Sequence, residues 1–174
     1  ERKLINIIKK MQNKNLSVEE SLTLAVQNHQ KNNFEIAQDL YEKILKTNPD
    51  HFKVIFLLGT LSAQTKNFDR AKQLLQKATQ IQPNNVDAHN NLGSVQKETG
   101  ENQKAISCYK KVIQINPNYS SAYNNLGAVY KEIDEQQKAI SCFEQAIQIN
   151  PNYVEAHNNL GIIFKELEEN QKAI

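Results

Sequence analysis

The stretch SSAYNNLGAVYKEIDEQQKAISCFEQAIQINPNY, residues 120–153, decides the fold. Set against the 34 residues before it, 86–119, it is identical at 22 positions. All four prolines, Pro49, Pro83, Pro117 and Pro151, stand 34 residues apart, and so do Gly59, Gly93, Gly127 and Gly161. A fixed period of this size marks one supersecondary unit copied along the chain. Within the quoted stretch Tyr123, Leu126, Gly127 and Tyr130 fall at i, i+3, i+4 and i+7, one stripe of an amphipathic helix. Ala139, Phe143, Ala146 and Ile147 form a second stripe, and the polar run Asp134-Glu135-Gln136-Gln137 predicts the turn between them. Pro151 stops the second helix. The residue after each proline, Asp50, Asn84, Asn118 or Asn152, reads as an N-cap for the next helix. Gly inside a helix costs about 1 kcal/mol relative to Ala, so its return in every unit predicts a close helix–helix approach.

The pattern Tyr123-x2-Leu126-Gly127-x2-Tyr130, then Ala139-x3-Phe143, then Pro151 resembles the tetratricopeptide signature, with Tyr where that family often has Trp. The same frame holds Leu92-Gly93, Ala105, Tyr109 and Pro117, and Leu58-Gly59, Ala71, Leu75 and Pro83. It is weaker in the earliest unit, where Leu24-Ala25 replaces Leu-Gly while Ala37, Tyr41 and Pro49 keep register. The resemblance implies an all-α fold, a right-handed α-solenoid of helix-turn-helix units. The units are 18–51, 52–85, 86–119, 120–153 and a partial one over 154–174.

Residues 1–17 precede the frame. Leu4, Ile5, Ile8 and Met11 share one face, which predicts an amphipathic helix capping the first repeat; a partner-binding or membrane-surface helix is the alternative. At the other end Gln171-Lys172-Ala173-Ile174 stops just after the small residue of a second helix, and the expectation is that the natural chain continues. An uncapped solenoid end also predicts possible end-to-end self-association.

Charge and composition narrow the function classes. The net charge is +2 and charged residues make up 23% of the chain. Residues 1–17 carry +4 and residues 86–174 carry −3, so the body lacks the basic stripe that nucleic-acid binding requires. No secretory leader and no run of apolar residues long enough to span a membrane is present, and a cytoplasmic location is expected. His29, His51, His89 and His157 share no spacing that suits a metal site. Cys108 and Cys142 occupy one repeated position on successive units, too far apart for a disulfide. The glycines are spread one per unit, which leaves no phosphate loop. No cofactor, metal or catalytic residue is expected.

The candidate binding residues lie on the first helix of each unit, away from its core stripe. Tetratricopeptide arrays, by the resemblance, line a concave groove with this helix. In the unit starting at 86 the set is Asp87, Asn90, Asn91, Ser94, Lys97 and Glu98; in the next it is Ser121, Asn124, Asn125, Ala128, Lys131 and Glu132. In the last it is Glu155, Asn158, Asn159, Ile162, Lys165 and Glu166. Each Asn amide offers two donors and an acceptor, the complement of a peptide main chain. Asn91, Asn125 and Asn159 resemble the asparagine ladder in the repeats of O-GlcNAc transferase. Surface or inter-repeat hydrogen bonding is the alternative role for these amides. The first two units carry Leu22-Thr23 and Phe56-Leu57 instead, an apolar end suited to a hydrophobic side chain or helix face, or else to cover by residues 1–17. The expected function is a protein- or peptide-binding scaffold. The alternatives are the recognition arm of a larger enzyme of glycosyltransferase or sulfotransferase type, and a self-assembling solenoid.

Overall fold

A computed structural model describes residues 16–172, and all the regular structure there is helical. Nine helices follow one another among the described residues: α1 (Val18–Gln30), α2 (Phe34–Thr47), α3 (Phe52–Gln64), α4 (Phe68–Ile81), α5 (Val86–Glu98), α6 (Asn102–Ile115), α7 (Ser120–Glu132), α8 (Gln136–Ile149) and α9 (Val154–Lys172). They pair as helix A and helix B of each repeat: α1 with α2, α3 with α4, α5 with α6, α7 with α8. The chain divides between Gln82 and Pro83 into two units. The predicted cap over 1–17 lies outside the described residues except for Leu16 and Ser17. Ser17 closes a capping box on α1, taking the Glu20 N–H on its hydroxyl while the Glu20 carboxylate accepts its own N–H.

The turn inside each repeat is shorter than the polar run suggested. Gln136 and Gln137 already belong to α8, and the chain reverses over Ile133, Asp134 and Glu135. The same reversal recurs with one residue in the left-handed region each time: Asn32, Lys66, Gly100 and Asp134, with φ of 59°, 60°, 73° and 60°. The N–H after it reaches back to the helix, Glu101 to the Gln96 carbonyl at 2.8 Å and Glu135 to the Tyr130 carbonyl at 2.9 Å. This is a Schellman closure, which satisfies carbonyls that the helix end leaves open.

The N-caps also differ from expectation. The residue after proline sits in the turn, and the cap is one residue later: His51, Asn85 and Tyr119. Asn85 accepts from the Ala88 N–H at 2.9 Å. Asn116 and Asn150, which precede their prolines, accept the N–H of Asn118 and Asn152 and so tighten the turn that the N-cap assignment had given to those later residues.

Helices A and B meet at the glycines. A methyl group on Gly59 would lie 3.0 Å from Leu75 Cγ, one on Gly93 2.9 Å from Tyr109 Cε1, and one on Gly127 2.8 Å from Phe143 Cε1. Leu75, Tyr109 and Phe143 are fully buried. In the first unit the core runs through Ala37, Leu40, Tyr41, Ile44, Leu58 and Leu61. In the second, Ala105, Ile106 and Tyr109 of α6 pack with Leu126 and Val129 of α7, and Ala139, Ile140 and Phe143 of α8 with Ile163 of α9.

Cys108 and Cys142 are free thiols beside these cores, and Cys108 donates to the Gln96 side-chain carbonyl at 3.2 Å. Burial pushes each thiol up from 9.0 to about 11. The native thiols therefore hold about a hundredfold less thiolate than free ones at pH 8, and alkylation by iodoacetamide should be slower by a similar factor until the protein is denatured. Because the folded values are raised, both thiols favour the folded state below pH 9 and lose that contribution as pH climbs from 9 towards 11.

Gly127→Ala should lower stability by about 1–3 kcal/mol, since Phe143 has no room to retreat. Gly161, with no described atom within 4 Å of a built methyl, supplies the control. Gly161→Ala should leave stability unchanged or raise it by up to about 1 kcal/mol. Thermal melts of the two variants check this. Equal melting temperatures would refute the packing argument.

Candidate functional site

Consecutive A helices within a unit join through side chains 35 residues apart, one more than the repeat length. In the second unit Asn125 donates its amide to Asn90 Oδ1 at 3.2 Å, and Asn159 donates to Asn124 Oδ1 at 3.0 Å. One turn further along the same helices Lys131 meets Glu166 at 2.9 Å. Lys97 lies 3.7 Å from Glu132 and 3.8 Å from Glu98. The second unit thus carries a row of amide rungs and a parallel row of ion pairs. The first unit carries the same rung, with His29 Nε2 2.7 Å from Gln64 Oε1, also 35 residues on.

The residues singled out in sequence are distributed unevenly over this lattice. Asn90, Asn91, Asn125 and Asn159 are half-buried, and Asn158 is exposed. Asn124 differs from the exposed stripe expected of it: it is 1% exposed, because α9 and its rung to Asn159 cover it. Its Nδ2 has no hydrogen-bond partner. Lys97 and Lys131 are spent on carboxylates of the following helix. Lys165 is exposed. Ser94 donates to the Asn90 carbonyl and sits 3.1 Å from the Tyr109 hydroxyl. Asp87 is exposed and accepts from Tyr119 at 3.2 Å, while Glu155 is exposed on α9. Burial first, and the Asp87 charge second, push the Tyr119 phenol up, so it keeps its proton and remains the donor. Burial likewise raises the Tyr153 phenol, with Glu155 adding to it and the Asn124 amide opposing.

His89 and His157 place Nε2 at 2.9 Å from the carbonyls of Pro83 and Pro151, which ties each A helix to the turn before it. Among the described residues no group of three or more His, Cys, Asp or Glu side chains is arranged to hold a metal ion, and no helix is long and apolar enough to cross a membrane.

The sequence reading missed the rungs and with them His29 and Gln64. A comparison at 35 residues instead of 34 shows the pairs Asn90/Asn125, Asn124/Asn159, Lys97/Glu132, Lys131/Glu166 and His29/Gln64. Amide with amide and base with acid at one offset was a detectable signal.

Chemically, each amide rung uses one donor and one acceptor lone pair of side chains that have two of each. The ion pairs alongside are partly exposed and of modest individual strength, up to about 1 kcal/mol. The face is polar, nearly self-neutralised and locked in register.

Comparison with known proteins agrees with this architecture. Family models described as tetratricopeptide repeat match residues 29–92, 120–153 and 142–174, and one described as TPR repeat matches 97–134. No curated protein matches in sequence. Among solved structures, one MamA crystal structure is 28% identical, covers 83% of this chain and 84% of its own, and superposes with a TM-score of 0.78. A second MamA structure is 26% identical, covers 90% of this chain and 85% of its own, with a TM-score of 0.81. YrrB, described as a TPR protein with an unusual peptide-binding site, shares the fold at 22% identity, 82% and 73% coverage and a TM-score of 0.76. With its 34-residue period, its glycine seats and four matching family models, this chain belongs to the tetratricopeptide-repeat family.

Proposed function

We propose that the chain is a protein- or peptide-binding scaffold whose A-helix face over α5, α7 and α9 grips an extended main chain. The observation that carries this reading is the pair of amide rungs, Asn90 with Asn125 and Asn124 with Asn159, held at one offset on successive helices. A rung fixes the plane of each amide before a partner arrives. Prealigned donors and acceptors lose less freedom on binding than mobile ones, which is where such a surface gains affinity. The ion pairs beside them leave little net charge to select a strongly acidic or basic partner. The role is one of holding, and the face contains no group poised for proton transfer or nucleophilic attack.

Each neutral hydrogen bond to a ligand contributes about 0.5–1.5 kcal/mol net, so affinity resides in the row and not in one residue. Asn158, exposed and outside the rungs, separates binding from stability. Dodecapeptides selected from a random library against the whole chain, labelled and titrated by fluorescence anisotropy, supply the readout. Asn158→Ala should weaken binding about two- to tenfold without changing the melt. Asn125→Ala and Asn159→Ala should lower both affinity and stability. Unchanged affinity in the combined Asn91, Asn125 and Asn158 alanine variant would refute the reading.

A further inference from the structure

The first unit holds a cavity of about 480 Å³ between α1 and α3, closed on one side by α2. That size falls within the range of about 300–1,000 Å³ typical of ligand sites. Its wall is made by Val26, His29, Phe34, Tyr41, Leu57 and Gln64, and no residue lining it carries a carboxylate, ammonium or guanidinium group. The polar atoms of the wall satisfy one another. His29 Nε2 meets Gln64 Oε1 at 2.7 Å, and Nδ1 lies 3.3 Å from the Tyr41 hydroxyl. Tyr41 is fully buried, and burial pushes its phenol up to about 12, so it keeps the proton that it can give to Nδ1. Phe34 and Tyr41 flank the imidazole edge-on, with centroids 6.0 and 6.1 Å away. Val26, Phe34 and Leu57 stay half-exposed and present carbon to the opening.

The chain contains its own control. Moved forward 68 residues, two periods, Val26 becomes Ser94, His29 becomes Lys97, Phe34 becomes Asn102, Leu57 becomes Asn125 and Gln64 becomes Glu132, while Tyr41 remains tyrosine as Tyr109. In the second unit those positions are occupied by the Lys97–Glu132 pair, the Ser94–Tyr109 contact and the Asn125 rung. The first unit keeps the geometry and removes both charges. Three of its positions exchange polar side chains for Val, Phe and Leu. A charged group entering there would lose its water and meet no counter-charge. An apolar group would bury its surface against carbon.

We propose that this cavity is a subsite for one uncharged apolar or aromatic side chain of a partner polypeptide. The inference rests on the scaffold reading above and adds to it a chemical preference. The partner's main chain is read without regard to sequence in the second unit, and one of its side chains is read here.

The test uses the full chain and the selected dodecapeptides. Recovered peptides should share a Leu, Ile, Met, Phe or Tyr at one position, and changing that residue to Ser should weaken binding about tenfold or more. The triple change His29→Lys, Leu57→Asn and Gln64→Glu gives this cavity the chemistry already present in the second unit. It should weaken the parent peptide to the same extent and leave the Ser peptide unaffected. Val26→Ser, a milder change, should give a smaller loss in the same direction and guards against misfolding of the triple variant. The proposal is overturned if both variants bind the parent peptide as tightly as the unaltered chain while the Asn158→Ala loss persists; the scaffold reading then stands alone. If no peptide is recovered, or if none responds to the Asn changes, the scaffold reading fails and takes this proposal with it.

Discussion

The approach of helix A to helix B at the glycines is the contact on which the rest depends. Gly93 and Gly127 let Tyr109 and Phe143 lie flat against the helix backbone, where a single methyl would intrude to 2.9 and 2.8 Å. The loss of helix propensity at each glycine, about 1 kcal/mol, is outweighed by full burial of a large side chain, about 1.5–3 kcal/mol. Once the pair is closed, helix B presents Ala105, Ile106 and Tyr109, or Ala139, Ile140 and Phe143, to the next helix A. The repeat stacks because the same seat is filled every time. In the first unit Leu75 fills it against Gly59 with less bulk and no ring.

Stacking then dictates which side chains meet. Adjacent A helices are displaced so that residue n faces residue n+35, and this one-residue advance creates the rungs. It sets Asn90 against Asn125 and Lys131 against Glu166, and in the first unit His29 against Gln64. One geometric position has therefore accepted three chemistries: amide with amide, ammonium with carboxylate, and imidazole with amide. Each satisfies the partner without leaving a buried charge unpaired. The differences between units lie in these rungs, while the glycine seats and the Schellman turns stay nearly constant.

A polar face of this kind has two roles that draw on the same atoms. The rung bonds hold neighbouring helices at a fixed spacing, and the remaining donors and acceptors are aligned as a consequence. Scaffold rigidity and ligand readiness are coupled in such a surface, since loosening a rung also disorders the groups beside it. Asn124 shows the limit of this arrangement. It has gone far enough into the stack to leave Nδ2 buried with no partner, a cost accepted within a repeat copied from a neighbour whose own Asn90 remains half-buried.

Period, helix pairing, glycine seats and free cysteines were all legible in residues 120–153 and their copies, because each follows from local spacing: 3.6 residues per turn within a helix and 34 per repeat along the chain. The turn boundaries were off by one or two residues, since the left-handed closure at Asp134 uses fewer residues than the polar run suggests. The angular position of Asn124 was not legible. A helix in a stack meets its own partner, the preceding helix B and a neighbouring helix A on each side. The free face is consequently narrower than one core stripe implies, and Ala122, Asn124 and Val129 are buried along with Leu126. Sequence determined that these helices form and repeat. Only the tertiary structure decided the 35-residue offset between them, because it depends on how two packed helices slide past each other, which no spacing within one helix records.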